Sequence, residues 1–226
     1  MTPSGPGATR RFFDAIARRY DRVYAPDRET SRRMLARVLE ALPPKARVLD
    51  LGVGTGRELS ALLDAGHSPT GLDVSTEMLA LCGRRSRPVP LVETDFWQPL
   101  PFADRSFDAV VALHGTLAHP PDEGAHARLE VELARVLGER GVLVAEVPSP
   151  GWVAGLSTEG SNVGDFRLRR TGPRTCVHED LVAGVGLEAR VLSAEEWREV
   201  FASWREVVVE ASPTELLVVA RRGDSP

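Results

Sequence analysis

The most informative segment of this 226-residue chain is Val48-Leu49-Asp50-Leu51-Gly52-Val53-Gly54-Thr55-Gly56-Arg57-Glu58. It reads as an apolar strand that ends in an acid, a glycine-rich turn and the start of a helix. Glycine is needed in such a turn because the backbone bends sharply and must approach a ligand without a Cβ in the way. The N–H groups at the start of the following helix can bind an anion. A tight turn without any ligand fits the same residues, so the segment alone does not establish a binding site.

Strand and helix patterns alternate around this segment. Two amphipathic helices come first, with apolar residues at helical spacing from Phe13 to Tyr20 and from Leu35 to Leu42. Alternating with further helices, five strands are predicted at Arg47–Leu51, Thr70–Asp73, Leu91–Glu93, Phe107–Leu113 and Val142–Val147. This alternation predicts an α/β fold with a doubly wound, mostly parallel sheet covered on both faces.

The pattern changes after Pro148. Glycine-rich, irregular sequence is followed by short alternating runs that predict an antiparallel patch ending at Ser193. A helix from Ala194 and a terminal hairpin, Glu206–Ala211 with Glu215–Ala220, complete the chain and bring the predicted main sheet to seven strands. Gly138 is predicted to end the helix that precedes the fifth strand.

Composition excludes several classes of protein. With 28 basic and 32 acidic residues and a net charge of −4, the chain has no long block of one sign, so nucleic acid is an unexpected partner. Two cysteines far apart support neither a disulfide framework nor a zinc site, and no metal is expected. No apolar run is long enough to span a bilayer, so we expect a cytoplasmic protein that does not enter the membrane.

The glycine turn does not fit the dinucleotide fingerprint, whose third glycine would fall at the position of Arg57. Instead, Asp50-x-Gly52-x-Gly54-x-Gly56 followed by an acid closing the second strand, Asp73, and an acid after the third, Asp95, resembles the class I S-adenosylmethionine-dependent methyltransferases. The resemblance covers about Arg47 to Val147. Its phrase Leu100-Pro101-Phe102-(x4)-Phe107-Asp108-Ala109-Val110 is typical of the small-molecule branch of that family.

The resemblance implies a Rossmann-like methyltransferase fold that binds S-adenosylmethionine and releases S-adenosylhomocysteine. The glycine loop would pass under the methionine part of the cofactor, with Asp50 near its amino group, and Asp73 would take the two ribose hydroxyls. Val74 and Met78 would flank the adenine, and Asp95 would accept from its exocyclic amine. The full implied cofactor set is Tyr20, Asp50, Gly52, Gly54, Gly56, Asp73, Val74, Met78, Asp95 and Phe96.

Two of these assignments depend on details of the match. The backbone of Phe96 would meet the adenine ring. Tyr20 matches a tyrosine that many relatives place over the methionine end, although it also lies on the apolar stripe of its helix, where core packing is an equal alternative. The resemblance also suggests the domain limits: a single domain over residues 11–222, with a helical cap over 11–44, an inserted β lid over 155–193 and disordered ends at 1–10 and 223–226.

Two histidines are candidates for catalysis. His114 ends the fourth strand and His119 follows in the loop, at the carboxyl edge where open α/β sheets bind ligands. Either could be a general base, and the alternative is a loop histidine bonded to backbone. His67, His126 and His178 are predicted to lie at the surface.

A four-residue segment, His119-Pro120-Pro121-Asp122, superficially resembles the Asn/Asp-Pro-Pro-aromatic motif of amino methyltransferases. It differs at both informative ends, where that motif has an amide or acid and an aromatic residue.

The sequence therefore predicts methyl transfer by in-line displacement to O, N or C of a small-molecule acceptor. Two alternatives are a tRNA-modifying methyltransferase and a non-catalytic protein that binds adenosylmethionine or adenosylhomocysteine. The identity of the acceptor and the oligomeric state are not contained in the sequence patterns.

Overall fold

A computed structural model of the chain describes residues 7–24, 28–85 and 87–223, without the side chains of residues 28–31. The helices are α1 (Ala8–Val23), α2 (Arg28–Ala41), α3 (Leu59–Asp64), α4 (Thr76–Arg85), α5 (Ala125–Val136), α6 (Pro150–Ala154) and α7 (Ala194–Val200), with a 3₁₀ turn at Thr116–Ala118. The first five strands are β1 (Arg47–Leu51), β2 (Ser68–Asp73), β3 (Leu91–Glu93), β4 (Phe107–Ala112) and β5 (Leu137–Pro148). The others are β6 (Ser161–Val163), β7 (Phe166–Arg170), β8 (Thr175–Asp180), β9 (Val185–Arg190), β10 (Glu206–Ala211) and β11 (Glu215–Arg221).

Seven strands form the main sheet in the order β10-β11-β5-β4-β1-β2-β3. β1 to β5 are parallel, and β11 runs antiparallel between β5 and β10. The predicted doubly wound, mostly parallel seven-stranded sheet is confirmed. Because Asp50 lies beside Gly71 on β2 and Val111 on β4, the carboxyl ends of these strands meet at one edge of the sheet.

Alternate residues of the central strand face opposite sides of the sheet. Val48 and Leu49 have no exposed surface, as expected for a parallel strand covered on both faces. Val48 packs in a cluster with Val38 of α2, whereas Leu49 packs in a cluster with Leu133 of α5 and Trp197 of α7. Two hydrophobic layers therefore fix the carboxyl edge of the sheet from both sides.

The predicted antiparallel patch forms a separate four-stranded sheet, in the order β6-β7-β8-β9. Its residues Phe166 and Leu187 share a hydrophobic cluster with Phe12 and Ile16 of α1. Arg19 of α1 also forms an ion pair with a buried carboxylate of β8, Asp180, at 2.6 Å. Helix α1 therefore lies against this small sheet and connects it to the rest of the molecule.

Two sequence expectations need correction. Helix α1 begins at Ala8, so residues 8–10 are ordered, whereas residues 1–6 and 224–226 of the predicted disordered ends lie outside the described residues. Gly138 does not cap α5 in a left-handed conformation, because the chain passes directly into β5 at Leu137, which is already extended (φ −83°, ψ 144°). The limits predicted for the domain, the cap and the lid otherwise stay predictions.

Two histidines predicted to lie at the surface are buried. His67 accepts a hydrogen bond from the backbone N–H of Ala46 at 3.1 Å, and His126 lies 2.9 Å from the carbonyl oxygen of Leu117. Both histidines can be buried because each has a backbone hydrogen-bond partner. His178 is half-buried.

The helices of the described residues are too short or too polar to cross a membrane.

Candidate functional site

The glycine turn after β1 has a backbone that only glycine adopts readily. Gly52, Gly54 and Gly56 all have positive φ, at 65°, 54° and 78°. A Cβ on Gly52 would lie 2.6 Å from Cγ2 of Thr116, so a side chain there would clash within the protein. A Cβ on Gly54 would meet only the carbonyl oxygen of Gly52, at 3.8 Å. Gly54 therefore keeps open space above the turn.

Asp73 ties this turn to the end of β2. Its carboxylate accepts hydrogen bonds from the backbone N–H groups of Gly54 and Ser75, each at 2.8 Å. Burial raises the pKa of Asp73, and these N–H groups partly offset that effect. Ser75 in turn caps α4, since its Oγ accepts from the N–H of Met78 at 3.1 Å. The acid is thus held at the carboxyl edge, next to the turn.

A small cavity beneath the turn is lined by two residues with unsatisfied polar atoms. Asp50 is 3% exposed, and its Oδ2 has no hydrogen-bond partner among the described residues. Burial, reinforced by the charges of Glu58 and Asp73, raises the pKa of Asp50 well above its ordinary value. Nη2 of Arg57, which lines the same cavity, is also buried and lacks a partner within the described part of the chain. The cavity therefore lacks one donor for Asp50 and one acceptor for Arg57.

The rest of the Arg57 side chain is firmly held. Its Nε donates to Oδ1 of Asp21 and its Nη1 to the carbonyl oxygen of Tyr24, both at 2.8 Å. The guanidinium carbon lies 4.9 Å from the centre of the Tyr20 ring. Burial raises the pKa of Tyr20 to about 12, so its hydroxyl stays protonated. Helix α1 thus positions both the arginine and the tyrosine at the small cavity.

A cleft continues from this cavity along the carboxyl edge of the sheet. It brings together nine of the twelve predicted site residues: Tyr20, Gly52, Gly54, Asp73, Val74, Met78, Phe96, His114 and His119. Asp50 lies in the small cavity, and Asp95 lines an adjoining groove at the end of β3 that shares Val74 and His119 with the cleft. Gly56 is buried within the turn, where its N–H donates to Val53 at 2.9 Å. The cofactor roles of these residues stay predictions.

His114 lies where the cleft opens into a second cavity, and it is held between two carboxylates. Its Nε2 is 2.7 Å from Glu58 and its Nδ1 is 3.7 Å from Glu146. Burial lowers the pKa of His114, but the hydrogen bond to Glu58 and the charges of both glutamates outweigh burial and raise it above the ordinary value. These carboxylates stabilise the imidazolium form of His114, whereas the general base that the sequence suggested must be neutral.

His119 lies where the cleft meets the groove that Asp95 lines. Its Nδ1 is 2.8 Å from the carbonyl oxygen of Glu188, and burial lowers its pKa, so the ring is neutral. This is the backbone-bonded loop histidine that the sequence left as the alternative. A catalytic role for either histidine stays a prediction.

The second cavity, called the acceptor cavity below, has a volume of about 450 Å³. It lies between the glycine turn and the small sheet, and it meets the cleft at Tyr20, His114 and Gly115. Its remaining wall is formed by Val23, Tyr24, Arg57, Glu146, Pro148, Trp152, Val163, Phe166, Leu168, His178, Thr214 and Glu215.

Comparisons with known proteins agree with this geometry. A family model described as "Methyltransferase domain" matches residues 48–141. A malonyl-[acyl-carrier protein] O-methyltransferase of Halorhodospira halophila is 32% identical over 205 residues, which cover 88% of this chain and 68% of the relative. The chain belongs to the class I S-adenosylmethionine-dependent methyltransferase family.

Other similar proteins share less of their length or sequence with this chain. A demethylmenaquinone methyltransferase of Beutenbergia cavernae is 40% identical over 144 residues, 62% of this chain and 58% of the relative. The chain spans only 50 to 58% of the length of this relative and of two other curated relatives. The CcbJ methyltransferase of Streptomyces caelestis superposes with a TM-score of 0.76 at 22% identity, covering 94% of this chain and 98% of that one. At this identity the likeness shows the fold.

The cofactor that the family implies fits the residues present. S-adenosylmethionine carries an α-ammonium and an α-carboxylate at its methionine end. The small cavity offers the matching unsatisfied atoms, a carboxylate oxygen on Asp50 and a guanidinium nitrogen on Arg57. In the sequence, Arg57 serves only to exclude a dinucleotide. An arginine directly after the glycines could have indicated a binding site for a carboxylate, although its position depends on contacts with α1.

Proposed function

We propose that this chain transfers a methyl group from S-adenosylmethionine to a small-molecule acceptor bound in the acceptor cavity. The observation that carries the proposal is the pair of unsatisfied atoms under the glycine turn, Oδ2 of Asp50 and Nη2 of Arg57. Unpaired buried polar groups cost free energy, so their retention in one cavity favours a zwitterionic ligand as their partner.

The remaining cofactor contacts follow the order of the strands. Asp73 would bind the ribose hydroxyls, and Val74, Met78 and Phe96 would enclose the adenine, with Asp95 near its amine. When bound, S-adenosylmethionine supplies an electrophilic methyl group on a sulfonium. The residues of the chain hold the acceptor in line with that methyl group and exclude water from the junction at Tyr20 and His114.

The size and position of the acceptor cavity support a small-molecule substrate. A volume of about 450 Å³ falls within the range of small-molecule pockets, roughly 300–1,000 Å³. The small sheet contributes Phe166 and Leu168 to the wall of this cavity, so an acceptor bound there would lie against that sheet.

The test compares two ligands that differ only at the amino-acid end. Adenosylhomocysteine carries the ammonium and the carboxylate, whereas 5′-methylthioadenosine has neither. Calorimetry should show tighter binding of adenosylhomocysteine to the wild-type protein and no binding of NAD. In Arg57→Gln that advantage should shrink by about 10- to 100-fold, the range for a hydrogen bond to a charged group. Binding of 5′-methylthioadenosine should not change.

Arg140→Gln is the matched control, since Arg140 is exposed on β5 away from the site. Equal affinity of the wild-type protein for both ligands would contradict the proposed methionine site. Transfer of a labelled methyl group to a panel of small acceptors tests the activity. Cofactor binding without turnover would favour the non-catalytic alternative, and methylation of bulk tRNA with steep salt dependence would favour the RNA alternative.

A further inference from the structure

The acceptor cavity carries two carboxylates on one wall. Glu146 is on β5 and Glu215 is on β11, and these strands pair antiparallel with Glu215 opposite Pro148. Residues 146 and 148 of a strand point to the same face, and a cross-strand partner shares that face. Glu146 and Glu215 are therefore neighbours on the same face of the sheet, and both line the cavity.

The two carboxylates affect each other electrostatically. The side chain of Glu146 is 11% exposed, and burial raises its pKa. The charges of Glu215 and Glu58 raise it further, whereas the charge of His114 and its backbone N–H lower it. A carboxylate in such surroundings gains stability when a cation comes close, because a nearby positive charge offsets both burial and repulsion.

Carboxylates outnumber the positive charges near this wall. Among the described residues that line the cavity, Arg57 is the one arginine; its guanidinium donates to Asp21 and to the carbonyl oxygen of Tyr24, and its remaining Nη2 is assigned above to the cofactor carboxylate. His114 lies 2.7 Å from Glu58 and 3.7 Å from Glu146, so one imidazole faces two carboxylates. A carboxylate or phosphate on the acceptor would therefore meet like charges at Glu146 and Glu215, which is costly in a partly buried site.

A second part of the cavity wall is aromatic. Tyr20, Tyr24, Trp152 and Phe166 line it, and the Tyr24 and Phe166 rings are 4.9 Å apart. Aromatic faces attract cations, and Arg57 already lies over the Tyr20 ring in this way. The hydroxyl of Tyr24 is buried and has no hydrogen-bond partner within the described residues, so it can accept from an N–H group.

From these two walls we propose that the acceptor is an amine, bound as its ammonium ion between the carboxylates of Glu146 and Glu215 and the aromatic residues, and methylated on nitrogen. The inference rests on the proposed methyl transfer and narrows its acceptor from O, N or C to N. The apolar residues Val163, Phe166 and Leu168 further require that the amine be attached to an apolar body.

Glu146, the acceptor nitrogen and the cofactor sulfur account for the proton and the electron pairs of this reaction. The ammonium gives one proton to the carboxylate of Glu146, which exposes the nitrogen lone pair. That pair forms the N–C bond to the methyl group while the C–S bond breaks with its electrons left on sulfur. Glu146 is held for this transfer because its Oε2 accepts from the backbone N–H of His114. Glu215 supplies charge to the ammonium without needing to take its proton.

Three probes on one carbon frame test the inference: 2-phenylethylamine, 2-phenylethanol and 3-phenylpropanoate. Calorimetry in the presence of saturating adenosylhomocysteine should rank the amine first and the carboxylate last. In Glu146→Gln and Glu215→Gln the affinity for the amine should fall by about 10- to 100-fold, while the affinity for the alcohol stays unchanged. Glutamine at 146 keeps an oxygen for the N–H of His114, so the substitution removes charge without removing that bond.

Glu139→Gln is the matched control, because the Glu139 side chain is 74% exposed and outside the cavity. Thermal melts confirm that each variant is folded. The inference is overturned if the carboxylate probe binds as tightly as the amine, if the preference for the amine survives both substitutions, or if no amine probe binds at millimolar concentration. Adenosylhomocysteine binding is measured on the same samples, so its loss marks a failure of the proposed function instead.

Discussion

Asp50→Asn should separate the stability of the protein from its affinity for the cofactor. The substitution keeps the shape of the side chain and removes its charge. In the wild-type protein this carboxylate is 3% exposed, and its Oδ2 has no partner among the described residues. Glu58 and Asp73 add negative charge nearby. In the folded protein without ligand, ionisation of Asp50 is therefore costly, because no cation compensates the buried charge.

The sign of the stability effect follows from the raised pKa. Because the folded-state pKa of Asp50 lies above its unfolded value, the unfolded chain loses this proton first as pH rises. The wild-type protein should therefore lose stability as pH increases above about 4, the ordinary value for aspartate, towards the folded-state pKa. The Asp50→Asn variant has no carboxyl group to titrate at this position, so it does not lose this stability as pH rises. At pH 8 it should be more stable than wild type by about 1–3 kcal/mol, the cost of an unsatisfied buried group.

Affinity should change in the opposite direction. The neutral amide of the Asp50→Asn variant cannot offer a charged partner to the α-ammonium of adenosylhomocysteine, so binding should weaken by about 1.5–3 kcal/mol, or roughly 10- to 150-fold. Denaturant melts at pH 5 and pH 8 give the stability difference. Calorimetry with adenosylhomocysteine and 5′-methylthioadenosine gives the affinity difference, which should be confined to the first ligand.

Asp64→Asn serves as the control, since that side chain is 72% exposed on α3. It should show neither effect. The reasoning is refuted if Asp50→Asn binds adenosylhomocysteine as tightly as wild type does, or if it is less stable than wild type at pH 8. Either result would mean that Asp50 is a structural acid rather than a charge reserved for a ligand.

Four further substitutions test other parts of the site. Gly54→Val should abolish adenosylhomocysteine binding in calorimetry, because a branched side chain at φ 54° would enter the cleft, whereas Gly52→Ala should chiefly lower the melting temperature. Asp73→Ala should weaken the same ligand by about 1.5–3 kcal/mol, and a wild-type Kd would exclude the ribose contact. His114→Asn, which tolerates the positive φ of 56°, removes a cation that lowers the pKa of Glu146. The rise of kcat/KM with pH for an amine acceptor should then shift to higher pH, and an unshifted profile would exclude Glu146 as the base.

The parts of the site that lie on one continuous segment could be predicted from the sequence. The glycine turn, Asp50 before it and Asp73 at the end of the next strand follow from strand–turn–helix spacing and from the parallel order of β1 and β2. The prediction that Gly138 ends α5 as a cap is wrong, because a glycine after a helix also fits a chain that continues straight into a strand. The prediction that His67 and His126 lie at the surface is wrong, because their backbone partners, at Ala46 and Leu117, are set by the fold.

The carboxylates of the acceptor cavity had no local signal at all. Glu146 and Glu215 are 69 residues apart in the sequence, and each sits in a strand of mostly apolar residues. They become neighbours only because β11 enters the sheet between β5 and β10, with the register that places Glu215 opposite Pro148. Strand order and register of a terminal hairpin depend on tertiary packing, which the periodicity of a single strand does not encode.

Helix α1 accounts for the other residues that the sequence could not assign. Asp21 accepts from Thr55 and Arg57 at 2.8 Å on the side of the glycine turn, while Arg19 binds Asp180 on the side of the small sheet. The position of the Arg57 guanidinium under the turn and the position of the aromatic wall over the acceptor cavity are therefore set by the same helix. Because Tyr20 lies between these two anchors, it borders the cleft, the small cavity and the acceptor cavity. Sequence periodicity describes this helix only as an amphipathic cap, yet it joins the cleft to the acceptor cavity. A substitution at Arg19 or at Asp21 should therefore change the geometry of both.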